Sequence, residues 1–142
     1  MLIKLDKEKL AWAAGFFDGE GCTLFKASMR ASNGRMYGSA SLQIAQCGNL
    51  EKYPEVLEKF NEAIGGLGHQ YGPYNKKSAN QPYYQLHVIG FEKVQAVVAM
   101  LWPWLCSIKR QQAKKALETC KEYSKRPKWK LGRKPKGEHH DD

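Results

Sequence analysis

The stretch LAWAAGFFDGEG, Leu10 to Gly21, begins as a helix of small and apolar residues and ends on two carboxylates, Asp18 and Glu20, set among glycines. Its reading decides the fold. Leu10, Ala13, Ala14 and Phe17 recur at helical spacing. Asp6 stands where an N-cap is expected. Ala11, Ala14, Gly15 and Asp18 form a second stripe that is almost free of bulk. The helix is expected to run to about Asp18, with Gly19 and Gly21 ending it through the left-handed conformation glycine readily takes. A helix C-terminus carries partial negative charge, so acids are disfavoured there. Two of them in that position need a reason.

Downstream, CTLFKASMR alternates Thr23, Phe25, Ala27 and Met29 with Leu24, Lys26, Ser28 and Arg30, the pattern of a half-buried strand. SNGR, residues 32–35, is a hairpin turn signal. The return strand spans roughly Tyr37 to Gln46, with Leu42 and Ile44 on one face and Ser41, Gln43 and Ala45 on the other. The pattern predicts one apolar sheet face and one polar, basic face. The face that carries Lys26, Ser28 and Arg30 is expected to point away from the core.

Asn49 is the expected cap of a helix over residues 50–66, with Val56, Leu57, Phe60 and Ile64 inward and Pro54 near its first turn. A second hairpin follows, from LGHQYGPYNKK through residues 78–81 to PYYQLHVIG. A buried helix starts at Phe91 and breaks near Pro103. A last helix, capped by Ser107, runs to about residue 125. The order helix, hairpin, helix, hairpin, helix, helix describes an α+β domain with one antiparallel sheet and its helices on one face. Residues 1–125 are read as a single domain and residues 126–142 as a basic, proline-broken tail that is expected to be flexible.

The chain has 142 residues, 42% of them hydrophobic, and a net charge of +9. That size and composition suit one folded domain, and the charge suggests a polyanionic partner, nucleic acid or an anionic membrane surface. The four cysteines form no CxxC pair, so neither a zinc site nor a disulfide framework is expected. MLIKLDKEKL contains no apolar run long enough for a secretion signal or membrane span. The expected location is intracellular: a bacterial or phage cytoplasm, or an organelle.

AAGFFDGEG, Ala13 to Gly21, resembles the nine-residue signature of the LAGLIDADG homing endonucleases. It matches at Ala14, Gly15, Asp18 and Gly21, with Glu20 in place of the second aspartate. The order of elements over residues 5–125 also resembles that family's. The resemblance implies a helix–hairpin–helix–hairpin–helix fold whose sheet forms a DNA-binding saddle. It implies a site-specific, Mg²⁺-dependent double-strand DNA endonuclease, with Mn²⁺ substituting and Ca²⁺ supporting binding without cleavage. A single motif implies a homodimer on a palindromic or nearly palindromic site, since half-site symmetry mirrors protein symmetry.

Residue by residue, the resemblance implies that Glu20 and the Gly19 carbonyl hold the metal and that Gln46 and Lys109 complete the catalytic group. Ala11, Ala14, Gly15 and Asp18 would line the dimer contact, with Asp18 mainly structural at the helix–strand junction. DNA contacts fall to Lys26, Ser28, Arg30, Arg35, Tyr37, Ser41, Gln43, Tyr71, Tyr74, Lys76 and Gln85. A basic residue that the family often has shortly after the glutamine is missing, because Cys47, Gly48, Asn49 and Leu50 follow Gln46 instead. Three alternatives stand beside this reading. One is an RNA maturase assisting intron splicing, and another is a non-cleaving DNA-binding regulator on the same scaffold. The third is an unrelated basic RNA-binding protein that uses KRPKWKLGRKPK.

Overall fold

Asp6 opens the first helix, α1 (Lys7–Glu20), by accepting the backbone N–H groups of Glu8 and Lys9 at 2.9 and 3.3 Å. The structure, a computed structural model, describes residues 5–29, 36–75 and 81–124. Leu10, Ala13, Ala14 and Phe17 are the buried side of α1, as their spacing requires. The helix continues through Gly19 to Glu20, past the expected stop at Asp18. Gly21 ends it in an extended conformation, φ −102° and ψ 166°, not in the left-handed one expected. Its glycine serves packing instead. A Cβ at position 21 would lie 2.1 Å from the Phe17 ring, which is itself fully buried.

The chain passes directly from α1 into β1 (Gly21–Met29), which pairs antiparallel with β2 (Met36–Cys47). β3 (His69–Tyr74) and β4 (Tyr83–Ile89) form the second hairpin, and the four-stranded order is β1-β2-β4-β3. Thr23, Leu42 and Val88 lie in one row across the sheet, and Gly21, Ile44 and Leu86 in the next. These rows face the helices. Ala40, Leu42, Ile44, Tyr84, Leu86 and Val88 are buried there against Phe17, Leu57, Phe60, Val94, Val97 and Leu101. Each large apolar side chain buried in this layer is worth about 1.5–3 kcal/mol.

The second helix, α2 (Glu55–Ala63), starts later than the Asn49 cap implies. Pro54 disfavours helical geometry at Tyr53 and itself takes the N-cap position. Asn49 instead closes a tight turn, its side-chain oxygen accepting from the N–H groups of Glu51 and Lys52. Beyond α2, the Asn61 side chain bonds both backbone groups of Gly68 and so fixes the entry into β3.

The third helix, α3 (Phe91–Leu101), ends in a 3₁₀ turn at Trp102–Trp104, where Pro103 interrupts it as expected. The last helix, α4 (Ser107–Ser124), packs along β1 and β2. Its cap position is Cys106, not Ser107: the Cys106 carbonyl accepts the Arg110 N–H at 3.0 Å. The expected SNGR turn and the C-terminal tail lie outside the described residues. No helix among the described residues is long and apolar enough to cross a membrane.

Candidate nucleic-acid interface

Strand alternation divides the candidate residues into a corner and a face. The corner is the junction of α1 with β1, and three distant segments meet there. Asp18 accepts the Cys106 N–H with both carboxylate oxygens, at 3.1 and 3.2 Å. That N–H lies at the start of α4, where the helix dipole is positive. The penalty of an acid at the negative end of α1 is thus offset by the positive end of α4. Lys109, in the first turn of α4, donates its ammonium to the Gly21 carbonyl and lies 5.9 Å from the Phe17 ring centroid. This places a second positive charge one residue beyond Glu20.

Glu20 and Gly19 are exposed, and among the described residues Glu20 has no hydrogen-bond or ion-pair partner. Of the two acids that open the question, one is hydrogen-bonded inside the chain and the other has no partner among the described residues. Gln46 belongs to the same corner. It sits on β2 two residues past Ile44, which pairs with Gly21, and it is half-buried on the helix side of the sheet. Lys109 thus meets the chain one residue beyond Glu20, and Gln46 lies on the neighbouring strand.

The donor set at this corner suits a hard cation. It consists of a free carboxylate and a backbone carbonyl, both oxygen ligands of the kind Mg²⁺ takes while keeping several waters. No cluster of three or more His, Cys, Asp or Glu residues occurs among the described residues.

Of the expected dimer stripe, Ala11 is half-buried and Gly15 is exposed, with open space where a Cβ would be. Ala14 has 0% exposure and belongs to the chain's own core, which removes it from any outer contact surface. Asp18 uses its carboxylate within the chain, on Cys106. The opposite flank of α1 is covered: Trp12 stacks on Phe16 at 5.4 Å, and the Lys59 ammonium lies 4.0 Å from the Trp12 ring centroid.

The face is the side of the sheet away from the helices. Cys22↔Gln43, Leu24↔Ser41, Lys26↔Ser39 and Ser28↔Tyr37 pair across β1 and β2 on it. Gln43↔His87 and Ala45↔Gln85 continue it onto β4, and Tyr71↔Gln85, His69↔His87 and Tyr74↔Tyr83 onto β3. Lys26, Ser28, Tyr37, Ser41, Gln43, Tyr71, Tyr74 and Gln85 therefore share one surface, although Ser41 is nearly buried within it. Arg30, Arg35 and Lys76 lie outside the described residues. In the described strands Lys26 is the only lysine or arginine.

Sequence reading missed His69, His87 and Tyr83 on this face. The signal was available, since His87 stands two residues after Gln85 on an alternating strand. These side chains interlock: the Tyr71 and His87 rings are 4.6 Å apart, those of Tyr74 and Tyr83 are 5.3 Å apart, and His87 hydrogen-bonds Gln85.

No protein-family model and no curated protein matches the sequence. Solved structures do. The homing endonuclease I-CvuI, in complex with the I-CreI target in the presence of Mg and with the DNA not cleaved, is similar to this chain at 25% identity and a TM-score of 0.65. The match covers 84% of this chain and 69% of I-CvuI. I-CvuI with its own target and Ca gives the same values. The LAGLIDADG homing endonuclease I-SmaMI, bound to cleaved DNA, shares the fold at 21% identity and a TM-score of 0.58, over 85% of this chain and 38% of I-SmaMI. With its helix-entered four-stranded antiparallel sheet and these likenesses, the chain has the fold of the LAGLIDADG homing endonucleases and is similar to them.

Proposed function

We propose that the protein is a site-specific DNA endonuclease, acting as a homodimer with a divalent cation. The observation that carries this reading is the exposed Glu20, unpartnered among the described residues, next in the chain to the Gly21 carbonyl that holds the Lys109 ammonium. The likeness to I-CvuI and I-SmaMI in complex with DNA supports it.

In this reading the face lies in the DNA major groove, whose width admits secondary structure and whose base edges carry distinguishable donor and acceptor patterns. Glu20 and the Gly19 carbonyl would hold Mg²⁺, which when bound supplies Lewis-acid chemistry to a phosphodiester and its attacking water. Lys109 has ammonium protons beyond the one given to Gly21, and these can bind a phosphate oxygen. Gln46 would orient water from the adjacent strand end. Gly15, bare on the outer side of α1, lets a second copy's backbone approach and brings a second Glu20 to the same centre. One chain supplies half of a two-strand cut.

The test is to incubate the purified protein with Mg²⁺ and a randomised duplex library and to sequence the broken ends. The expected result is one nearly palindromic sequence, cut in both strands and left intact in EDTA. Cutting indifferent to sequence, or unaffected by EDTA, would contradict the proposal.

A further inference from the structure

On the open face, two glutamines in adjacent strands have their carboxamides held in opposite senses. His87 Nε2 lies 2.8 Å from Gln85 Oε1. That oxygen can only accept, so the ring nitrogen facing it carries the proton. The NH₂ group of Gln85 is then the free end. Gln43 is reversed: its Nε2 donates to Ser41 Oγ at 3.2 Å, which leaves its carbonyl oxygen free.

Both arrangements are braced. The His87 ring packs against Tyr71, and the Gln85 backbone carbonyl accepts from Tyr53 Oη at 2.8 Å on the helix side of the sheet. Ala45, small and opposite Gln85, leaves room above the strand. A free glutamine can rotate its amide by half a turn and accept either pattern of base edge. A fixed one cannot.

We propose that His87 is a positioning residue that sets the reading sense of Gln85. Held by His87, Gln85 presents donors and requires an acceptor on the facing base edge, such as guanine O6 or N7, or thymine O4. Gln43, held by Ser41, presents an acceptor and requires a donor such as adenine N6 or cytosine N4. The inference rests on the reading of this face as a DNA-binding surface. It goes beyond that reading by assigning opposite chemistry to two identical side chains. Burial, which pushes the His87 imidazole below its ordinary 6.5, keeps the ring neutral with a single N–H at neutral pH.

The experiment is site selection from randomised duplexes in Ca²⁺ with the full chain, as wild type, Gln85→Glu, His87→Phe and Ser41→Ala. Wild type should select a guanine or thymine at one half-site position and an adenine or cytosine at another. Gln85→Glu keeps the oxygen that His87 binds but replaces the outward donor by an acceptor. It should switch the first position to adenine or cytosine. His87→Phe keeps a ring against Tyr71 and frees the amide. Discrimination at that position should fall by about tenfold, with every other position unchanged. Ser41→Ala should do the same at the second position alone.

An unaltered selected sequence for His87→Phe would overturn the positioning role. An unaltered sequence for Gln85→Glu would show that Gln85 reads no base. If wild type enriches no sequence at all, the DNA reading of the face fails, and this inference fails with it. Should His87→Phe fold poorly, His87→Leu removes the same hydrogen bond, and Gln85→Glu changes a single half-buried side chain with His87 in place.

Discussion

The corner where α1 meets the sheet and the open face of that sheet are assembled by different means. The corner is made of charge and long-range contact: Asp18 on the start of α4, Lys109 on the Gly21 carbonyl, and Glu20 left free between them. The face is made of uncharged hydrogen-bonding groups on regular strands, with Lys26 as the one cation in the described strands. The protein's excess of positive charge, +9 overall, therefore lies largely off the strands. In the proposed reading, sequence-independent attraction to phosphate and selection among bases are divided between different parts of the chain. In that reading chemistry belongs to the corner and selection to the face.

Substitutions can break that division or sharpen it. After Glu20 itself, the largest effect is expected for Lys109→Met, which keeps most of the side chain's length and removes its charge. Cleavage should fall by about a hundredfold, or about 2.7 kcal/mol, while the selected sequence stays the same. A matching loss of binding affinity would move Lys109 from the corner's chemistry to general phosphate attraction.

Next is Gly21→Ala, where the added methyl collides with the buried Phe17 ring. Overpacking of this kind should cost about 1–3 kcal/mol in urea unfolding, with no change in selected sequence among molecules that fold. An unchanged midpoint would show that Phe17 gives way freely.

Asp18→Asn follows. It keeps the acceptor toward Cys106 and removes the charge from the start of α4, so a loss of about 1 kcal/mol is expected. Loss of cleavage without loss of stability would instead assign Asp18 to the metal beside Glu20.

Smallest is Lys26→Ala on the face. Affinity should drop by less than about tenfold, and the slope of log K against log salt should fall by about one if the ammonium meets a phosphate. A changed base preference with an unchanged slope would make Lys26 a base reader.

Much of this could be read in the chain, and the parts that could not share a cause. α1, the order of elements and the parity that puts Lys26 and Ser28 opposite Phe25 follow from local periodicity, which sequence displays directly. The Asp18 cap on Cys106 spans 88 positions, and no local pattern announces it. Gly21 looked like a left-handed helix stop because glycine serves that purpose so often. It is glycine because Phe17, one helical turn earlier, occupies the space a side chain would need. Asn49 looked like a helix cap because Asn caps helices and closes turns through the same side-chain oxygen, and Pro54 decided which. Ala14 stands in both stripes of α1 in the sequence, and the helix turns it into the chain's own core. Of the charges expected on the sheet face, Lys26 lies in a described strand, whereas Arg30, Arg35 and Lys76 fall outside the described residues.

The claim that the corner cuts while the face selects is tested most directly by Glu20→Gln, which preserves shape and removes the free carboxylate. The substituted protein should be compared with wild type on one plasmid carrying the selected site, with binding measured in Ca²⁺ and cleavage in Mg²⁺. The expected result is unchanged site preference, affinity equal to wild type or tighter when metal is absent, and no detectable cleavage. A Glu20→Gln protein that cuts at the wild-type rate, or one that folds but no longer selects the site, would contradict the account.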